Sequence, residues 1–302
     1  MVRLSIYGVM GALLLAFTLA GCGRSTLPHL KPLPAAARAL LAQKGMKESA
    51  PIFLRIFKEE SELELWKAKA DGRYYHFKTY PICNWSGKLG PKIKIGDKQS
   101  PEGFYRVAKY QMNPNSKFHL SFNLGFPNKF DKSRGRTGQF LMVHGNCKSL
   151  GCYAMTDALI EEIYILAREA FVGGQQSFPV HAFPFRMTAK NMKRHRRSRW
   201  VGYWRNLKQG YDEFELSRKP PKIDVCERRY LINVQFSRPG VKSKPAAYCP
   251  PHRKMKPDIF IPPAGQEVAA GPSYNTPVSG LSRFLTKIKG RPINSSVTVA
   301  GP

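Results

Sequence analysis

Along this chain the spacing of apolar residues changes period several times, and each change marks off an element. Pro34, Ala36, Ala37, Leu40 and Leu41 fit a short helix that opens on proline and stops at Gly45. Ile52 to Phe57 is a dense apolar run, Glu62-Leu63-Glu64-Leu65-Trp66 alternates with period two, and Arg73 to Tyr80 is rich in aromatics. Charged or Gly/Pro punctuation follows each run, the pattern of successive strands joined by turns. Gly103 to Lys109, Phe118 to Phe122 and Gln139 to His144 are further strand candidates. One longer helix stands out: Thr156 offers an N-cap, Asp157 sits in the first turn, and Gly173-Gly174 ends it. Between them Leu159, Ile160, Ile163, Leu166, Ala167 and Ala170 recur at helical spacing. The expected fold is mainly β, sandwich or barrel-like, with a few helices.

Two stretches stand apart. Residues 190–199 hold six Lys or Arg and no acid, and Trp200, Tyr203, Trp204 and Leu207 follow with helical spacing up to Gly210. This predicts one helix with a charged face and an aromatic face, the aromatics packing on the core. The alternative is a patch that faces a polymer or a lipid. From residue 236 onward Pro and Gly are frequent and long periodic apolar runs are missing, so 236–302 is expected as a largely disordered tail.

At the other end, Arg3 precedes an apolar stretch through Leu19, the length of a signal-peptide core and too short for a good spanning helix. It ends in Leu19-Ala20-Gly21-Cys22, which resembles a bacterial lipobox, with Cys22 the acylated first residue of the mature protein. Residues 1–21 are then a lipoprotein signal peptide, 22–50 a tether with the short helix, and 51–235 the folded domain. Gly23 rather than aspartate after Cys22 points to the outer membrane. Such an exported chain makes nucleic acid an unsuitable partner despite a net charge of +29. Export also permits disulfides. Of six cysteines, Cys22 goes to lipid and Cys152 to the chemistry below, leaving Cys83, Cys147, Cys226 and Cys249 with three possible pairings. Cys226–Cys249 closes a local loop and is the favoured pair, while Cys147 either joins Cys83 or stays reduced.

Candidate chemistry concentrates in His144-Gly145-Asn146-Cys147-Lys148-Ser149-Leu150-Gly151-Cys152. A thiol becomes a strong nucleophile as the thiolate, and a nearby imidazole can take its proton. Gly151 allows the tight turn that exposes the thiol. Cys152 also precedes the long helix, whose positive end would favour a thiolate slightly. His144, Cys147 and Cys152 can be drawn as three metal ligands, but the glycines around Cys152 favour a thiol nucleophile.

This motif resembles the active site of the L,D-transpeptidases (YkuD-type), and the YafK-like subgroup in particular. The likeness extends over roughly residues 50–235, including Pro81-Ile82-Cys83-Asn84-Trp85-Ser86-Gly87, Ser100-Pro101-Glu102-Gly103-Phe104-Tyr105 and Phe183-Pro184-Phe185-Arg186-Met187. It implies a YkuD-like β-rich domain with Cys152 as nucleophile, His144 as general base and acid, and Ser149, Gly151 and Gly145 shaping the turn and oxyanion site. It implies no metal and no organic cofactor. The substrate would be a peptidoglycan stem peptide, cut at the diaminopimelate–D-alanine bond. The acyl group would pass to an amine of a second stem or of a wall-attached protein. An L,D-specific hydrolase is the alternative, and a non-catalytic wall-binding lipoprotein the second. Two departures matter. Only Asn146, Cys147 and Lys148 separate the His-Gly pair from the Ser-x-Gly-Cys turn, and Tyr153-Ala154-Met155 stand where an arginine usually follows the cysteine. Tyr153, Lys148 and Arg136 are the candidates for the substrate contacts that arginine would make.

Overall fold

A computed structural model describes residues 27–262. The expected leader, the lipidation site Cys22 and residues 263–302 of the expected tail lie outside them. In chain order the elements are α1 (Ala35–Gln43), β1 (Ile52–Phe57), β2 (Glu62–Ala68), β3 (Tyr74–Pro81), β4 (Asn84–Trp85), β5 (Gly103–Ala108), β6 (Met112–Ser116) and β7 (His119–Asn123). Then come α2 (Lys129–Ser133), β8 (Met142–His144), β9 (Tyr153–Ala154), α3 (Asp157–Val172), β10 (Ser177–Phe183), α4 (Ala189–Arg194) and α5 (Val201–Ser217). Two hairpins close the series: β11 (Ile223–Cys226) with β12 (Arg229–Ile232), and β13 (Val234–Phe236) with β14 (His252–Lys254).

The strands form two mixed five-stranded sheets, ordered β3-β2-β1-β10-β5 and β4-β9-β8-β7-β6, and neither closes into a barrel. In the first sheet β10 runs parallel to β1 and antiparallel to β5. Every residue of β1 is buried because both faces of the sheet are covered. Ile52, Leu54 and Ile56 face the larger core, shared with Leu120, Phe122 and Val143 of the second sheet and with Ile160, Ile163 and Ala167 of α3. Phe53 and Phe57 face the other way, toward Phe214 and Tyr211 of α5. Each such fully buried side chain is worth about 1.5–3 kcal/mol.

The α5 face also buries charge. Arg55 binds Glu64 at 2.7 Å and Glu215 at 2.5 Å, and its guanidinium lies over the rings of Trp66 and Phe214. Arg186 takes the other oxygen of Glu64 at 2.5 Å, and Trp66 Nε1 donates to Glu64 at 2.9 Å. Burial alone would raise the Glu64 pKa, but the Arg55 and Arg186 charges outweigh it and hold the carboxyl down to about 2.

Three expectations change. The helix drawn across 190–210 is two, α4 and α5, separated at His195 to Trp200, and α5 runs on to Ser217. Gly210 lies inside α5 rather than ending it; a Cβ there would stand 2.6 Å from the Phe104 ring, so the glycine serves close packing. Residues 236–262, expected as disordered tail, carry structure: β14 pairs with β13, Cys249 is bonded to Cys226, and the Phe260 N–H donates to the Leu216 carbonyl. Their few apolar residues hid this, because the segment is held by a disulfide and backbone bonds rather than by a periodic apolar face.

Glu64→Gln leaves two buried guanidinium groups short of a carboxylate and should cost about 3–5 kcal/mol. A depressed folded pKa gives stability that is present above the ordinary carboxyl value of 4.5 and is lost as pH falls toward 2. Thermal unfolding should therefore show a lower Tm for Glu64→Gln at pH 7 and a shallower fall in Tm across that acid window. An unchanged Tm at pH 7 would contradict this account of the core.

Candidate active site

His144 ends β8, and the chain returns as β9 alongside it. The two strands pair in parallel, with Val143 opposite Tyr153 and His144 opposite Ala154. The intervening loop is closed at its base: Met155 N–H donates to His144 O at 2.7 Å and Cys147 N–H to Met155 O at 3.2 Å. Gly145 is required there, since a Cβ would stand 2.5 Å from Asp157 Oδ1 and 3.0 Å from the Phe118 carbonyl. The same Asp157 oxygen accepts the Asn146 N–H at 2.8 Å.

Gly151 takes φ +115°, outside the comfortable range of L-residues, and turns the chain into Cys152. Two hydroxyls fix this turn through one acceptor: Ser149 Oγ and Ser100 Oγ donate to the Cys152 carbonyl at 2.8 and 2.9 Å. The sulfur lies against the start of β8. It accepts the Met142 N–H at 3.4 Å and donates to Phe140 O at 3.7 Å. Met142 is two residues before His144, so the sulfur is held by the same three-residue strand that ends in the imidazole.

His144 is oriented by its neighbour's backbone. Nδ1 is 2.6 Å from Gly145 O, and a carbonyl only accepts, so Nδ1 carries the proton. The neutral ring then keeps its lone pair on Nε2. The Phe118 ring lies 4.8 Å from the imidazole and walls it on one side. Burial pulls the His144 pKa down, opposed by the Gly145 hydrogen bond. Burial likewise raises the Cys152 thiol, opposed by the Met142 N–H and the Lys92 charge. Burial thus favours the neutral imidazole and the protonated thiol. Strand β9 stands between Cys152 and α3 along the chain, and the groups that oppose burial at the thiol are the Met142 N–H and the Lys92 charge.

The remaining sequence candidates divide. Lys148 is exposed. Tyr153, expected to touch substrate, is fully buried with its hydroxyl on Pro101 O at 2.6 Å, so it belongs to the core. Arg136 is buried and paired with Asp131 at 2.7 Å, its guanidinium 5.0 and 4.9 Å from the Phe130 and Tyr203 ring centroids. It holds structure rather than a ligand. Cys147 is bonded to Cys83, which ties the His144–Cys152 loop to the segment before β4 and removes it as a thiolate ligand. Sequence reasoning missed Lys92, which stands 5% exposed, pairs with Asp97 and supplies the positive charge that favours the thiolate. It also missed Phe140, an exposed apolar residue whose carbonyl accepts from the Cys152 thiol. The Leu89-Gly90-Pro91-Lys92 segment was visible, but nothing in its spacing ties it to Cys152.

No protein-family model matches the chain. Over 198 residues, 66% of this chain and 80% of the relative, it is 45% identical to the Escherichia coli K12 protein named "Putative L,D-transpeptidase YafK". The protein of that name in Escherichia coli O157:H7 matches to the same extent. Among solved structures, the helical cell shape determining protein Pgp2 from Campylobacter jejuni is 22% identical with a TM-score of 0.35, the match covering 48% of this chain and 54% of that one. Bd1075 from Bdellovibrio bacteriovorus is 21% identical with a TM-score of 0.30, the match covering 55% and 62%.

Replacing Lys92 by Gln removes the cation that favours the thiolate. The pH midpoint for alkylation of Cys152 by iodoacetamide should move upward in Lys92→Gln relative to the native chain. A midpoint that stays in place or falls would show that Lys92 does not act on the thiol.

Proposed function

This chain belongs to the L,D-transpeptidase family, in its YafK-like subgroup, and from that membership we propose that it performs acyl transfer on peptidoglycan stem peptides through Cys152. The observation that carries the reading is a turn-mounted thiol held against β8, the strand that ends in an imidazole whose Nδ1–H is spent on Gly145 O and whose Nε2 is left to act as base. His144 Nε2 takes the Cys152 proton as the sulfur attacks the carbonyl carbon of the diaminopimelate–D-alanine bond. Backbone N–H groups of the Gly151–Cys152 turn receive the oxyanion, each worth roughly 3 kcal/mol of barrier. The C–N bond then breaks. D-Alanine leaves with the proton returned by His144, and a thioester remains on Cys152. An incoming amine, deprotonated by His144, attacks the thioester and restores the thiol.

We place this chemistry outside the cytoplasm, on a membrane surface through lipid at Cys22, on the lipobox-like sequence alone. One acyl chain binds a membrane only marginally, so a stable anchor requires more than one. Cys22→Ser should appear in the soluble periplasmic fraction or as an unprocessed precursor; full processing with unchanged membrane association would contradict the anchor.

Incubation with defined muropeptides and mass analysis of products tests the reaction itself. Crosslinked dimers with release of D-alanine are expected. Cys152→Ala should give none, and His144→Gln should turn over at least about a hundredfold more slowly. Shortened stems alone would assign hydrolysis. Unaltered muropeptides, or full activity in Cys152→Ala, would overturn the reading.

A further inference from the structure

A cleft of about 570 Å³ opens between α2, α5 and the β11–β12 turn. Its wall is aromatic: Phe130 and Tyr203 stack 5.4 Å apart at 15°, and Trp200 lies beside them. Arg134, Arg136 and Arg229 line it, with no carboxylate among its lining residues. Arg136 is already spent on Asp131. Arg134 and Arg229 are exposed and, with the adjacent Arg228, form no ion pair with any carboxylate among the described residues. The Arg134 guanidinium lies over the Phe130 ring and donates from Nε to the Arg228 carbonyl at 2.9 Å, which holds these residues together. Burial and the charges of Arg136, Arg228 and Arg229 push the Arg134 pKa down, the mark of cations crowded against each other.

The hairpin that supplies two of these arginines is held at a conformational cost. Glu227 and Arg228, the central residues of the β11–β12 turn, both have positive φ, +48° and +56°. Tight hairpin turns of this kind usually place Asn and Gly there, because side chains disfavour that region. The surroundings impose it instead. Cys226 is bonded to Cys249, Glu227 N–H donates to Ala247 O, and Arg228 N–H donates to Pro245 O, both at 2.8 Å. A segment beyond the expected end of the domain thus clamps the turn that brings Arg228 and Arg229 to Arg134. Strain sustained by several independent restraints is characteristic of binding sites.

The cleft also adjoins the reacting centre. Ile93 lines it, and the preceding Lys92 is the cation acting on Cys152. Thr137 N–H donates to Ile93 O at 3.0 Å, joining the two strips of chain that separate cleft from thiol, and Phe140 on the second strip accepts from Sγ.

We propose that this arginine cleft is a subsite for a carboxylate of the acyl-donor stem peptide, anchored by Arg134 and Arg229 with Arg228 beside them. The fork of a guanidinium matches a carboxylate in two parallel hydrogen bonds, and the aromatic wall lowers the competition from water. The proposal rests on the acyl-transfer reading for the identity of its ligand. The arginine absent after Cys152 is replaced in function by cations from α2 and the C-terminal hairpin, not by Arg136 or Lys148.

The test measures binding of a stem tetrapeptide to the full-length Cys152→Ala chain, which cannot turn it over, beside the same stem with its carboxylates amidated. The acidic stem should bind at least tenfold more tightly. Arg134→Ala and Arg229→Ala should each remove most of that preference, Arg229→Lys should restore part of it, and all three should keep the parent Tm. Equal affinity for acid and amide, or a preference unchanged in both alanine variants, would overturn the proposal. So would a site that takes inorganic phosphate or phosphatidylglycerol vesicles and does not release them to the stem, since the cleft would then serve a phosphate. If the native chain turns over the stem while the arginine variants keep its KM, the cleft fails and acyl transfer stands. If the stem binds through the arginines but never loads onto Cys152, the cleft stands and acyl transfer fails.

Discussion

One buried cation organises the loop that supports the nucleophile. Lys58, just beyond β1 and 0% exposed, sends Nζ to the carbonyls of Lys88, Gly90 and Ser100 and to Glu102 Oε1, at 2.8–3.2 Å. Glu102, equally buried, takes the Gly90 N–H on the same oxygen and Trp204 Nε1 on the other. The strand edge, the 88–102 loop and α5 are thereby joined at a single charge pair. From that loop Ser100 reaches the Cys152 carbonyl and Lys92 acts on the thiol. Burial pushes the Lys58 pKa down while Glu102 supports the charge, so the pair is sustained only with every partner in place. Two ions taken out of water lose several kcal/mol each to desolvation, which full hydrogen bonding must offset. The network therefore adds geometric specificity more than net stability.

The acids of this chain are largely used inside it. Glu64, Glu102 and Asp131 are all fully buried against cations, while Glu162 binds Lys78 and the Tyr80 hydroxyl. What remains outside is strongly basic, the arginine cleft included. The catalytic candidates themselves rest uncharged, because burial acts against both the thiolate and the imidazolium. An anionic ligand is thus drawn to the surface around the site, while the nucleophile is activated only as its proton leaves.

How far the sequence revealed all this depended on whether a contact is local. Ile52–Phe57 was legible as a strand because the apolar run is unbroken, and Thr156 to Gly173 as a helix because cap, period and stop agree. The Glu62–Trp66 alternation gave the strand but not the burial of Glu64, whose partners on β1 and near α4 no local pattern foretells. Strand β10 went unread, since Phe178-Pro179-Val180-His181 carries a proline and a histidine that argue against a central strand. The pairing Cys83–Cys147 was left open for a similar reason: its two ends are 64 residues apart, while Cys226–Cys249 spans only 23. At the site, His144, Gly151 and Cys152 share one short motif and were found together. Lys92 and the cleft arginines come from segments that only folding assembles, and Tyr153 and Arg136 were drawn to the site by proximity in sequence alone.

The central claim is that Cys152 carries the acyl group, and direct observation of the acyl-enzyme tests it. The full-length chain should be mixed with a stem tetrapeptide, quenched in acid and its mass measured intact. The account predicts added mass equal to the stem less D-alanine, located on Cys152 and released by neutral hydroxylamine, as a thioester requires. An adduct on another residue, an adduct that persists in Cys152→Ala, or loss of D-alanine with no dependence on Cys152 would contradict it.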